Sequence, residues 1–193
     1  MRVFVAGASG VIGIRLVPLL VEAGHEVAGM TRTPAKAEAL RALGAEPVVC
    51  DVFDRDALCA AVVSFGPDVV VHELTDLPDE VARIPEFAAD QARIRREGTR
   101  NLIAAAQAAG VRYFLAQSVA WELPGEGGAA VAELERLTLE ASGVVLRYGQ
   151  FYGPGTYHEA EPPPQPRIHI DEAARRTAAL LDAPSGSIEI VEG

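Results

Sequence analysis

Lysine is almost absent from this chain of 193 residues: Lys36 stands alone, and every other basic side chain is an arginine. Basic charge as a whole is outnumbered, with 17 Lys and Arg against 27 Asp and Glu and a formal net charge of −10. A nucleic-acid partner requires a basic stripe, so that class is excluded and the acidic balance reads as a solvated surface. Cysteine is scarce too: Cys50 and Cys59 form no CxxC arrangement, which favours reduced thiols over a disulfide or a metal site. His25, His72, His158 and His169 fall at no metal-ligand spacing with carboxylates or cysteines. No apolar run is long enough to cross a membrane, since the longest, Val11–Val21, is interrupted by Arg15 and Pro18. An apolar strand pattern begins directly after Met1, with no basic segment and no small-residue cleavage site, so the expected location is the cytoplasm.

What remains is a globular composition, 49% apolar and 23% charged, in a length that fits one domain over residues 1–193. Short apolar runs alternate with helical patterns. Strands are predicted at Arg2–Ala6, Glu26–Met30, Glu46–Cys50, Asp68–His72, Val111–Gln117, Gly143–Arg147 and Ser187–Val191. Helices are predicted at about Val11–Ala23, Pro34–Leu43, Asp54–Ser64, Pro85–Ala109, Ala129–Ser142 and Asp171–Ala183, with Gly44, Gly66 and Gly110 as stops. This alternation implies α/β architecture: a doubly wound parallel sheet with helices on both faces. Glu122–Gly128 reads as a glycine-containing loop, and Gly153–Gln165 as a segment rich in proline, glycine and acid. Both follow strands, which places them at the ligand edge of such a sheet. Pro162–Pro164 reads as a stiff connector.

Directly between the first strand and the first helix stands Gly7-Ala8-Ser9-Gly10-Val11-Ile12-Gly13. Glycines at these positions permit a tight turn, a close approach of backbone to a diphosphate, and packing of the helix on the sheet. Free N–H groups and the positive end of the helix dipole then face the phosphates. The sheet is therefore expected to be of Rossmann type and to bind a dinucleotide. Thr31-Arg32-Thr33 follows the second strand, with no acidic residue between Glu26 and Glu38. A carboxylate there would bond a ribose 2′-OH, whereas Arg32 and Thr31 favour a 2′-phosphate, so NADP is expected ahead of NAD. Asp51 and Val52, past the third strand, are candidates to cap the adenine, with helix capping by Asp51 or Asp54 as the alternative.

These features resemble the short-chain dehydrogenase/reductase superfamily in its extended and atypical branches, and more closely the NAD-dependent epimerase/dehydratase and NmrA-like proteins. The resemblance runs through GASGVIG at Gly7–Gly13, TRTPAKAEAL at Thr31–Leu40, CDVFD at Cys50–Asp54 and VVVHELT at Val69–Thr75. It continues through REGTRNLIAAAQAAGVRYFLAQSVA at Arg96–Ala120, LRYGQFYGPG at Leu146–Gly155 and IHIDEAA at Ile168–Ala174. Such a resemblance implies NAD(P)-dependent chemistry on a small molecule and two-fold dimers, here expected through Pro85–Ala109. Three departures stand out. Counted from Glu135, the places of the family's Tyr and Lys hold Gly127 and Val131. The asparagine usual before the Gly-Thr pair is Arg95. The segment between Tyr152 and Ile168 is far shorter than the family's substrate region, which makes about 153–170 a reduced substrate side.

Ser118 matches the family's serine, which holds a substrate carbonyl or hydroxyl. Tyr148 and Tyr152 lie in a segment that in relatives passes near the nicotinamide, so either is a candidate proton donor, with core packing as the alternative. Without the lysine, a phenol here keeps its ordinary pKa of about 10 and can donate a proton but is a poor base. His72 ends the fourth strand and is either a cofactor contact or a hydrogen-bonded structural histidine. His169-Ile170-Asp171 reads as helix capping. Two functions follow from these residues: an NADP-dependent reductase of small carbonyl compounds or an epimerase-like relative, and a catalytically silent NAD(P)-binding regulator of the NmrA-like kind.

Overall fold

A computed structural model describes residues 1–193. The chain runs β1 (Arg2–Ala6), α1 (Gly13–Glu22), β2 (Glu26–Thr31), α2 (Ala37–Ala42), β3 (Glu46–Val49), α3 (Arg55–Phe65) and β4 (Val69–His72). It continues α4 (Ala88–Arg93), α5 (Thr99–Ala108), β5 (Tyr113–Val119), α6 (Gly125–Glu140), β6 (Val144–Tyr148), β7 (Gln150–Tyr152), β8 (Arg167–His169), α7 (Ile170–Ala178) and β9 (Gly186–Ile190). Seven parallel strands form one sheet in the order β3-β2-β1-β4-β5-β6-β9. The order reverses between β1 and β4, the switch point at which open α/β sheets bind ligands. No helix is long and apolar enough to cross a membrane.

Both sheet faces are covered, which is why β4 reads Val69-Val70-Val71 without alternation and is wholly buried. Val5, Val71, Leu115, Leu146 and Tyr148 pack with Leu16 of α1 and Ala173 of α7 on one face. Phe4, Val70, Phe114 and Ala116 pack with Leu58 of α3, Leu102 of α5 and Leu134 of α6 on the other. Local signals fix the ends of α3: the Asp54 carboxylate accepts the Ala57 N–H at 3.1 Å, and Gly66 closes the helix with φ of 62°. A cap of this kind contributes about 1 kcal/mol.

Three segments differ from the sequence expectation. The pattern expected as one helix over Pro85–Ala109 is a 3-10 segment at Val81–Phe87, then α4, a π-helical turn at Ile94–Gly98, and α5. Pro85 accounts for the irregular start, because it has no N–H to donate to an α-helical ladder. Part of the expected loop Glu122–Gly128 belongs to α6, which begins at Gly125. Gly128 lets that first turn fold back on the chain, since a Cβ at this position would stand 2.1 Å from the Leu123 carbonyl. Finally, β7 and β8 pair in parallel on either side of the segment read as a connector.

Candidate functional site

The glycine loop leaves β1 at the switch point and turns against the end of β4. Gly7 adopts φ of +92°, and a Cβ there would meet the Glu73 carbonyl oxygen at 2.6 Å. At Gly13 a Cβ would stand 2.4 Å from the Gly7 oxygen, so these two glycines are required by the loop itself. Gly10 is different: it is exposed, and its Cβ would meet only the Gly7 oxygen, at 3.2 Å. The Gly7 and Ala8 N–H groups donate to Met30, and Gly10 donates to Gly7. The N–H groups of Ser9, Val11, Ile12 and Gly13 find no acceptor in the protein. Unused donors at the start of α1, beside an open glycine, fit a diphosphate.

At the end of β2, Ser9 Oγ and Thr31 Oγ1 lie 3.0 Å apart, and Thr31 Oγ1 also accepts the Thr33 N–H. Arg32 is exposed, but its guanidinium is held by both oxygens of Asp76, at 2.6 and 3.1 Å. Asp51 is exposed, with one carboxylate oxygen accepting the Phe53 N–H at 2.9 Å, while Asp54 caps α3. Val52 is buried, and its carbonyl accepts from Asn101 at 3.0 Å.

The remaining candidates are divided between the two sheet faces. His72, two residues past Val70, faces α5 and is fully buried. Its Nδ1 accepts the Leu74 N–H at 3.2 Å, which leaves Nε2 to carry the proton toward Thr99 Oγ1 at 3.0 Å. Burial pulls its pKa down to about 4, so this ring is neutral and both its nitrogens are committed. Ser118, in register with Arg147, faces the same way and donates to Glu135 Oε1 at 2.6 Å. Arg147 donates to both Glu135 oxygens. Burial pushes the Glu135 carboxyl up, but the hydrogen bonds from Arg147 and Ser118 outweigh it and hold the pKa below its ordinary value.

Tyr148 lies on the opposite face. Its hydroxyl donates to Glu73 Oε1 at 2.9 Å and lies 2.6 Å from Thr177 Oγ1. Burial, with the Glu73 carboxyl next to it, raises its pKa well above 10. Tyr152, on β7, donates to Glu192 and sits edge-on to the His169 ring at 5.1 Å between centroids. Thus His72, Ser118 and Arg147 share a face, and neither phenol is hydrogen-bonded to Ser118. Gly127 and Val131 occupy the first turns of α6 and bring no ionisable group there. His169 itself caps α7, accepting the Asp171 N–H at 3.3 Å. Glu73 and Asp76 escaped sequence reasoning; the one available signal was for Glu73, an acid placed directly after the strand Val69–His72.

Residues 7–140 match the NAD(P)H-binding family, and the chain belongs to it. It is a Rossmann-type, NAD(P)H-binding protein. The chain is 44% identical over 181 residues to a 3-diazoavenalumate denitrifying reductase of a Streptomyces species, covering 81% of this chain and 58% of the relative. It is 35% identical over 116 residues to a 3-beta-hydroxysteroid dehydrogenase of Mycolicibacterium neoaurum, covering 59% of this chain and 31% of the relative. The UDP-glucose 4-epimerase of Thermus thermophilus, solved with NAD, shares the fold with a TM-score of 0.82 at 22% identity, covering 100% of this chain and 78% of that one. The chain therefore spans little more than half the length of the Streptomyces reductase, and about a third of the dehydrogenase.

Proposed function

We propose that this chain is an NADP-dependent oxidoreductase that reduces a small carbonyl compound. The observation that carries this reading is the glycine loop, with four unused N–H groups at the start of α1. Arg32, beside Thr31 and Thr33 and with no acid on its strand end, supports a 2′-phosphate over a bare ribose. A nicotinamide bound along the strand ends would supply hydride. Ser118 is suited to orient the substrate, because Arg147 alone bonds both Glu135 oxygens, so the serine proton can turn to a carbonyl at the cost of a single hydrogen bond. Tyr152 is half-buried with its hydroxyl on Glu192, and it is the better candidate to supply the proton; Tyr148 is enclosed in the core. In the same reading the chain acts in the cytoplasm as one NAD(P)-binding unit, with a homodimer through Pro85–Ala109 as the assembly to test.

A second reading is favoured by Gly127 and Val131, which leave no Tyr–Lys pair: a silent NAD(P)-binding regulator. Two measurements decide. Turnover of NADPH against a panel of aldehydes and ketones separates enzyme from regulator. Titration of NADPH and NADH into wild type and Arg32→Asp tests the cofactor: the substitution should weaken NADPH binding and spare NADH. Equal affinities in wild type, unmoved by the substitution, would remove the NADP assignment.

A further inference from the structure

Arg95 is the one arginine that is neither exposed nor bonded. Arg55 has no hydrogen bond but is exposed, and exposed Arg112 lies against Tyr113, whereas Arg95 is half-buried with no hydrogen bond and no ion pair. Its pKa is lowered by burial alone, with no carboxylate close enough to offset the desolvation. A guanidinium removed from water without a partner is costly, and this one has five unfilled donors. It stands in the π turn between α4 and α5, where extra-wide turns often mark functional sites.

Its neighbours show where the position lies. Gln91, four residues earlier, is buried and accepts the Asp76 N–H at 2.6 Å. Thr99, four residues later, is buried against His72. Gln117 of β5 donates to the Leu74 carbonyl at 3.0 Å, tying the same segment from the sheet side. Arg95 thus stands midway along a helical stripe that docks at one end on Asp76, in the segment after β4, and at the other on His72, the last residue of β4. It is on the sheet face that carries Ser118, at the C-terminal edge where ligands bind.

We infer that Arg95 is the anion-binding residue of the substrate site, so that this chain takes carbonyl compounds bearing a carboxylate rather than neutral ones. The inference rests on the reading of the site as an oxidoreductase pocket and names its substrate class. Arginine suits the task, because its planar fork matches a carboxylate with two parallel hydrogen bonds. The planar fork would fix one end of the substrate while Ser118 addresses the carbonyl at the other.

The test is binding rather than turnover. Protein saturated with NADPH is titrated with pairs that differ only in charge, benzoate against benzamide and 2-oxobutanoate against its methyl ester, followed by the fluorescence of Trp121, the single tryptophan. Each acid should bind roughly ten- to hundredfold tighter than its neutral partner, as for a charge-assisted bidentate contact. Arg95→Gln should erase that preference and leave the NADPH Kd unchanged, while Arg95→Lys keeps part of it. Because Arg95 has no partner, Arg95→Gln should also melt no lower than wild type. Equal binding of acid and neutral partner by wild type overturns the inference, as does a preference that survives in Arg95→Gln. A fall in NADPH affinity in Arg95→Gln overturns it too, by assigning the guanidinium to the dinucleotide's own phosphate, and a lower Tm would mean a structural partner. If wild type binds no dinucleotide, the cofactor reading fails, and the same titrations on the free protein still decide the role of Arg95.

Discussion

Replacing Glu73 by glutamine should stabilise this protein at neutral and alkaline pH and do little at pH 4. Glu73 is 3% exposed, with one oxygen bonded by Tyr148 and the other without any partner. Burial moves its pKa from 4.5 up to about 8. In the folded protein the group therefore holds its proton at pH 7, whereas the unfolded chain has released it. Below about pH 4.5 both states are protonated and the acid carries no electrostatic cost. As pH rises from there the unfolded state gains, by about 1.4 kcal/mol for each pH unit, until the folded carboxyl also ionises near pH 8. The accumulated loss is about 3 kcal/mol at pH 7 and about 5 kcal/mol above pH 8, the upper end of what one side chain contributes. Glutamine keeps the size and the acceptor for Tyr148 but cannot ionise. Urea unfolding of wild type and Glu73→Gln from pH 4 to 8.5 should give curves that diverge steadily in favour of the variant. Parallel curves, or a gap that widens as pH falls, would refute the reasoning.

Three further outcomes follow from the site. Gly13→Ala forces a Cβ within 2.4 Å of the Gly7 oxygen, so dinucleotide affinity, read by calorimetry, should fall at least tenfold, with a lower Tm from the displaced loop. Ser118→Ala should reduce turnover by on the order of 10²-fold, with the NADPH Kd unchanged, and a wild-type rate would remove the serine from the chemistry. Asp76→Asn releases Arg32 from its bidentate partner, so NADPH affinity should rise roughly fivefold at low salt while NADH affinity stays level; a loss of NADPH affinity would show that Asp76 positions the arginine instead.

The parts of the fold that were legible in the sequence are those set by short-range rules. The glycine loop declares itself because its residues, its strand and its helix are contiguous, and Asp54 and Gly66 bound α3 by capping chemistry alone. The buried run Val69–His72 announces a strand covered on both faces. What was not legible depends on register and on contacts between distant segments. Ser118 and Tyr148 both lie at the ligand-edge ends of their strands, yet Tyr148 pairs with Val119, and that one-residue offset sends the two side chains to opposite faces. The start of α6 at Gly125 follows from packing of Gly128 against Leu123, which outweighs the poor helix propensity of three glycines. The pairing of Arg32 with Asp76 joins residues 44 apart, and no local pattern encodes it.

The segment after β4 is fastened from three directions: by His72 through the Leu74 N–H, by Gln117 through the Leu74 carbonyl, and by Gln91 through the Asp76 N–H. A wall secured in this way loses its conformational freedom when the chain folds and not when a ligand arrives, so a molecule seated against it forfeits chiefly its own. Plasticity toward new substrates must then come from elsewhere along the rim, above all from the stretch between β5 and α6. Engineering for a different specificity would begin there, because each change to the fastened wall disturbs three anchors that the sheet and its helices share.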